Sequence, residues 1–417
     1  MMGSMTPQTN WAGTHTYEGR IATPRSIDEL QRLIAAAPRA RALGTRHSFN
    51  DIADTDLLVS LQDLPADIDV DTDAATVRVA SHLPFATVAG AVDARGLALH
   101  NLGSLPHISV GGATATATHG SGLRNGNLST AVVGLELVTA DGGILRIDRD
   151  DPRFPGAVVH LGALGIVTHV TLGLEPRYDV RQDVYLDVPW DEVLGDPVGV
   201  FGAAYSVSVF GHWSGPRTEQ VWLKSRLDDG DLEPAETWRE GTRATGQVSP
   251  VADDSDNTTV QGERGSWHAR LPHFRFDRQP SAQGDEIQTE YFVALEDAAS
   301  ALSSVREIAD RIDPLLIVTE LRTVAADDLW LSTAYGRNSL GIHFTWRNLP
   351  EEVTAILPEV EAVLAPFAPR THWGKWFADA AASDRYPRFA DAIGLMRELD
   401  PEGTFRNAYA DRVLGLR

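Results

Sequence analysis

Apolar positions return at two different periods along this chain, and the switches between them mark its elements. Ile27, Leu30, Leu33 and Ile34 recur at helical spacing behind Ser26 and Glu29, a Ser-x-x-Glu capping box that predicts a helix start. Residues 41–43 read as a short strand running into the polar, glycine-led loop Gly44-Thr45-Arg46-His47-Ser48-Phe49. Ile68 and Val70 alternate with Asp67, Asp69 and Asp71, and Val77-Arg78-Val79 follows, so residues 66–80 predict two strands with one wet face. Aspartates at spacing two imitate a calcium loop. They fail it, because neither register has Gly at the sixth position or Glu at the twelfth, and they read as a solvated strand edge.

A helix from Phe85 to Arg95, a hairpin over 134–147 around Asp141-Gly142, and β-type runs at Gly165 to Thr168 and Tyr185 to Val188 follow. Residues 227–265 turn polar and rich in Asp, Gly, Pro and Thr, which predicts a loop-like, mobile surface excursion. The second half supplies β-like runs at 288–295, 315–324 and 340–346, with helix-like stretches at 296–312, 351–364 and 387–399. Strands and helices in blocks, without strict βαβ alternation, predict α+β layers rather than a doubly wound parallel sheet. No fixed-period repeat interrupts the pattern.

The 417 residues suffice for two or three domains, and 36 Lys and Arg against 58 Asp and Glu give a net charge of −22. That balance argues against nucleic acid or an anionic membrane as a partner. There is no cysteine, which excludes disulfides, thiolate metal sites and cysteine nucleophiles. The first ten residues lack the order of a signal peptide, and Met2-Gly3-Ser4-Met5 reads as a cloning remnant. No run approaches the roughly 20 apolar residues of a membrane span, and a cytoplasmic soluble protein is the default expectation, with a monomer expected separately. G-x-G-x-x-G, G-x-x-x-x-G-K-[ST], G-x-S-x-G and H-E-x-x-H are all missing.

Five segments carry candidate chemistry. In 111–122 nearly every residue is Gly, Ala, Ser or Thr, which suits either a backbone cradle for a planar or anionic ligand or a tightly packed strand and turn. His47 is either an ordinary loop histidine or a nucleophile presented for a covalent link. Along 315–322, Glu320 and Arg322 share one face of an otherwise aliphatic strand, and His343 and Thr345 share a face of 341–346. If those strands are neighbours, an acid, a guanidinium, an imidazole and a hydroxyl converge, with Gln288 and Glu290 extending the surface; the alternative is a structural ion pair. Lys375, between Trp373 and Trp376, is either a desolvated proton-transfer group or a lysine snorkelling over rings. No metal site is expected.

The segments Gly44 to Asn50, Ser104-Leu105-Pro106-His107-Ile108-Ser109 with Gly112 to Gly122, and His372-Trp373-Gly374-Lys375 resemble the vanillyl-alcohol-oxidase type of FAD protein, most closely its alditol oxidase branch. The likeness runs from about Asn10 to Val413 and is weakest over 227–265. It implies a two-part FAD-binding domain from 10–176 and the C-terminal segment 371–417, with a mixed or antiparallel-sheet cap over 177–370. It implies FAD bonded covalently through His47, with Leu43, Gly44, Thr45, Arg46, Ser48, Ser104, Ser109, Gly112, Thr116, Ala117, Thr118, His119, Ile166 and His372 on the cofactor. Ser104, Glu320, Arg322, His343, Thr345 and Lys375 match the substrate cavity.

Gly103 stands where some members carry Ala, and a small residue there is associated with oxygen reaching the reduced flavin. Arg46 stands where many relatives have a smaller residue. The implied reaction is oxidation of the terminal hydroxyl of xylitol, sorbitol or glycerol to the aldehyde, with O2 reduced to H2O2. In it Arg322 and Lys375 grip the reacting oxygen and His343 is the base or its relay. The rivals are a sugar-lactone or hydroxy-acid oxidase or dehydrogenase, and a flavin-binding protein without turnover.

Overall fold

Three sheets of three or more strands organise the computed structural model, which describes residues 8–227, 233–251, 255–278, 286–378 and 383–416. The Met2 to Met5 segment lies outside the described residues. A small parallel sheet joins Arg20–Ala22, Leu57–Val59 and Arg41–Ala42. Beside it, five antiparallel strands run in the order Ile144–Asp148, Val132–Val138, Ile166–Gly173, Thr76–Ala80 and Ile68–Asp71. The third sheet has ten strands with antiparallel pairings, drawn from Asp179–Leu186 through Arg370–Thr371. An α+β fold with an antiparallel second part is therefore what the chain adopts.

Local chemistry accounts for the first elements. Ser26 Oγ accepts from Glu29 N at 3.2 Å and opens the helix Ile27–Ala35, while the Glu29 carboxylate takes Arg25 N at 2.8 Å, one residue upstream of the usual reciprocal bond. That helix sits on the 141–142 hairpin turn, where Gln31 Nε2 donates to Gly142 O at 2.7 Å. Gly142 has φ +81°, and a Cβ there would lie 2.7 Å from Gln31 O, so both the turn and the close approach require glycine.

Two expectations change. The small-residue run begins as a helix, Val110–Ala115, because Ser109 and Leu83 backbone groups start its first turn, and it is not a strand. The stretch 227–265 is not simply a loop either. Thr237–Trp238, Gly241–Arg243 and Arg264–Ser266 add short strands to the large sheet, pinned by pairs such as Tyr185 with Arg243. Residues 228–232 and 252–254 of that stretch lie outside the described residues.

One face of the large sheet buries Tyr291, Val293, Leu321, Ile342 and Phe344 against the helices Trp190–Gly195, Ala298–Arg306 and Pro350–Leu364. The opposite face is left for the cleft. The C-terminal helices Phe389–Leu399 and Ala408–Leu414 return to the N-terminal part, where Met396, Tyr409 and Leu414 share a core with Val79, Val88 and Val170. Asn407 Nδ2 donates to the carbonyls of Asp51, Ile52 and Asp54 at 2.9–3.2 Å.

Asp400 makes this return possible. Its two oxygens accept Thr404 N at 2.7 Å and Phe405 N at 2.8 Å, which aims the carbonyls of Thr404 and Phe405 at Ala40 N and Arg41 Nη1. Replacing Asp400 by Ala strands two buried amides, so we expect a loss of about 2–4 kcal/mol in unfolding free energy. Urea unfolding of the wild type and Asp400→Ala checks this; equal midpoints would contradict the role.

Candidate active site

Strand alternation decides which side chains meet. Leu316–Val324, Ser339–Arg347 and Glu286–Ala294 are neighbours in that order, and the register sets Glu320 opposite His343 and His343 opposite Glu290. One row of the pleat thus runs acid, imidazole, acid across three strands. Gln288 pairs with Thr345 one step along, and Arg322 lies one step the other way. All of these line one cleft, together with Ser104, His119, His273, His372 and Lys375.

Glu290 is the hub of this face. Its Oε2 lies 2.8 Å from Lys375 Nζ and 3.6 Å from His343 Nδ1, and its Oε1 lies 3.1 Å from both Arg322 Nη2 and His119 Nε2. Burial alone would raise its pKa, but Lys375, His119 and Arg322 outweigh it and hold the carboxyl well below the usual range. Glu320 follows the same balance, with Arg322 and His273 as its partners. Arg322 Nε stands 3.3 Å from Glu320 Oε1, and its Nη1 donates to Ser104 Oγ at 3.0 Å. Both carboxylates are ionised, and Arg322 bridges them.

The imidazoles stay neutral. Burial drives His343 down to about 4, with the Lys375 charge adding to the effect. Its Nδ1 lies 2.6 Å from Lys375 Nζ and its Nε2 lies 3.1 Å from Thr345 Oγ1. Burial also pulls the Lys375 ammonium below its ordinary range, against the pull of Glu290. His119, Glu290 and His372 place ligand atoms within 4.8 Å of one another. Two cations already neutralise that carboxylate, so a divalent ion there would sit against Arg322 and Lys375.

The N-terminal segments close the other side of the cleft. Arg46 has φ +61°, a left-handed turn that brings His47 beneath Trp11, whose ring stacks on the imidazole at 4.9 Å and 21°. Both nitrogens of His47 are buried without a hydrogen-bond partner, and burial, then the nearby His107, lowers its pKa to about 4. Phe49 N donates to Gly374 O at 2.7 Å, and Asn50 Nδ2 donates to the carbonyls of Trp373 and Lys375. The loops carrying His47 and Lys375 are therefore one unit.

Family models match this chain in two places: an FAD binding domain over residues 19–148 and D-arabinono-1,4-lactone oxidase over residues 281–413. Alditol oxidase of a Streptomyces species is 45% identical across 97% of this chain and 98% of its own. The chain belongs to the alditol oxidase family of FAD-dependent oxidases acting on CH–OH groups. L-gulono-1,4-lactone dehydrogenase of Mycobacterium tuberculosis is 31% identical over 98% of this chain and 99% of its own. A crystal structure of cholesterol oxidase from B. sterolicum superposes with a TM-score of 0.79 at 15% identity, covering 98% of this chain and 96% of that one, which speaks to the fold.

The cleft suits the FAD of an alditol oxidase family member. A Cβ on Gly44 would lie 2.9 Å from Ser109 Oγ, and one on Gly112 3.0 Å from the same atom, so two glycines keep backbone bare around one hydroxyl. The partnerless nitrogens of His47 face the same cavity. Leu43, Thr45, Arg46, Ser48, Thr116 and Thr118 also line it. Three sequence candidates do not. Ile166 alternates away from Val167 into the core beside Leu30 and Phe405, Ala117 is fully buried in its φ +54° turn, and Gly103 is buried outside the lining. His273 and Lys224, which no periodicity marks as functional, join the site through Glu320.

These groups bias the response to acid, and Glu286, raised to about 7 by burial, opposes them because its contribution is lost as pH rises. The buried neutral His343 and His273, each lowered to about 4, contribute stability that is complete above their unfolded value of 6.5 and is lost as pH falls toward 4. Glu290 and Glu320, depressed below their unfolded value of 4.5, add a loss of the same sign at lower pH. Denaturant midpoints of the holoprotein should fall from about pH 6.5 downward. His343→Asn should flatten that slope, and a midpoint independent of pH in this window would contradict the assignment.

Proposed function

We propose that this protein oxidises the terminal hydroxyl of open-chain alditols such as xylitol and sorbitol to the aldose, with O2 reduced to H2O2. The observation that carries the reading is the buried row of Glu320, His343 and Glu290, with Arg322 and Lys375, facing the FAD cleft of a chain 45% identical to an alditol oxidase. On this reading residues 10–176 and 371–417 hold the cofactor and 177–370 cover it. His47 would carry the covalent link, its imidazole kept neutral and nucleophilic by burial beneath Trp11. When bound there, FAD would supply the hydride acceptor and the route for the electron pair to O2.

The side chains do the rest. Arg322 and Lys375 would hold the reacting oxygen and favour its developing negative charge. Lys375 Nζ lies 2.6 Å from His343 Nδ1, so the ammonium could hand a hydrogen to the neutral imidazole as it takes the proton of the substrate hydroxyl, leaving Lys375 charged and His343 protonated. Ionised Glu320, with Ser104 and Thr345, would take the hydrogens of the remaining hydroxyls. A site satisfied by hydroxyls discriminates against deoxy analogues, because its own buried polar groups would be left unpaired. A Cβ added to Gly103 meets His119 O and Thr118 Cγ2 at 3.6 Å, which leaves room for one methyl group beside the proposed oxygen path.

A lactone oxidase or dehydrogenase reading is favoured by the lactone oxidase match over 281–413 and the 31% identical relative. Peroxide release on xylitol compared with L-gulono-1,4-lactone separates the two. Lys375→Ala and Arg322→Ala should each lower kcat by roughly 10²–10⁴ while the visible flavin spectrum persists. Wild-type turnover in either would reject its role. Acid-precipitated wild type should keep its yellow colour in the pellet and His47→Ala should release it to the supernatant. A colourless wild-type pellet would reject the covalent link.

A further inference from the structure

Lys224 is only 1% exposed, and no step above uses it. It lies in the strand Gln220–Arg226, where Lys224 pairs with Ser206. Its Nζ lies 2.5 Å from Leu271 O, 2.8 Å from Pro272 O and 3.2 Å from His273 Nδ1. Burial pulls this ammonium well below its ordinary range against the pull of Glu320, and three acceptors match its three hydrogens. The ring of His273 is clamped between Phe210 at 5.5 Å and Trp222 at 5.1 Å, both edge-on, so its orientation is set by packing. What packing leaves open is which ring nitrogen carries the hydrogen.

Lys224 closes that choice. With Nδ1 accepting from the ammonium, a neutral His273 carries its hydrogen on Nε2, and Nε2 lies 2.6 Å from Glu320 Oε1. The Arg322 contact falls on the same oxygen, at 3.3 Å, which leaves Oε2 of Glu320 to the cleft. The segment does a second job, since the backbone N–H groups of His273 and Phe274 both donate to Ser104 O, at 3.1 and 3.2 Å. We propose that Lys224 is a positioning residue for polyol recognition: by fixing the His273 tautomer it keeps Glu320 an ionised, pure acceptor for a substrate hydroxyl.

Without Lys224, His273 is free to place its hydrogen on Nδ1 and present a bare Nε2 to Glu320. Glu320 would then protonate or turn, and in either case Oε2 is lost as a fixed acceptor. This rests on the reading of Glu320 as a hydroxyl acceptor, which Glu320→Gln tests separately by its loss of kcat/KM on xylitol.

The decisive measurement is a double-mutant cycle on the FAD-loaded enzyme, scored by kcat/KM for xylitol with the flavin spectrum as a control for the cofactor site. Lys224→Met should lower kcat/KM roughly ten- to hundredfold, mostly through KM, with an unchanged spectrum. In His273→Gln the side-chain amide always has a hydrogen to donate to Glu320, whatever faces its other end. Adding Lys224→Met to that variant should therefore cost less than threefold. Equal losses in both backgrounds would mean that Lys224 only packs, and would overturn the proposal.

Should Lys224→Met fail to accumulate, His273→Leu removes the bridge while keeping the backbone bonds of Lys224. It should reproduce the tenfold or greater loss, and wild-type kcat/KM would overturn the proposal. If Glu320→Gln itself oxidises xylitol normally, the reading of Glu320 fails. Impaired Glu320→Gln beside a fully active Lys224→Met sinks the positioning role alone.

Discussion

A carboxylate with no access to water stands at the centre of this protein. Glu290 is 1% exposed, and an ionised acid in that position is tolerated only because cations and hydrogen-bond donors surround it. Its partners come from distant parts of the chain: His119 from the turn after Val110–Ala115, Arg322 from the strand Leu316–Val324 beyond Ser339–Arg347, and Lys375 from the segment that returns to the N-terminal part. The cleft therefore acquires its charge pattern only when the large sheet, the N-terminal loops and the C-terminal return are all in place. The bridging also runs backwards, since Asn50 grips the carbonyls on either side of Gly374 and so couples the His47 loop to Lys375.

Alternation made half of this site legible from the residues. Glu320 with Arg322, and His343 with Thr345, break aliphatic strands at spacing two, and a polar residue repeated on one face of a buried strand needs a reason. Glu290 was visible only as an extension of that surface, because its importance comes from register: it faces His343 across a third strand that begins some 50 residues earlier. His273 carried no signal at all. It sits in the irregular stretch Leu271 to Arg275, where no period exists to violate, and its meaning appears only when Lys224 and Glu320 close around it. The small-residue run at 111–122 was ambiguous for a different reason. Gly and Ala allow helix and turn alike, and the first turn of Val110–Ala115 is settled by the tertiary bond from Val110 N to Leu83 O.

Histidines show how the site keeps its charges few. His47, His119, His273, His343 and His372 all have pKa values lowered mainly by burial, so near neutral pH they contribute lone pairs and N–H groups instead of charge. On this face the ionised Glu290 and Glu320 stand against Arg322 and Lys375, each touching an opposite one, while burial pushes Glu286 in the same cleft up to about 7. On the proposed reading a neutral polyol would bring no charge of its own to upset this balance.

The order of groups along the face also matters to what it can recognise. Donors concentrate where Arg322 and Lys375 meet Glu290, and free acceptor capacity lies toward Glu320 and Thr345. An alcohol that is losing hydride needs its reacting oxygen among donors, since that oxygen gathers negative charge as its proton leaves. The hydroxyls further along the chain keep their hydrogens and need acceptors. A gradient from donor to acceptor therefore suits a molecule with one reacting hydroxyl at its end and unreacting hydroxyls behind it, which is the constitution of an alditol. Had Glu320 been held in its neutral form, the far end would offer a donor where a donor already points, and the gradient would vanish. On the proposed reading Lys224, outside the cleft, and His273, in its lining, would both be part of what the site can tell apart.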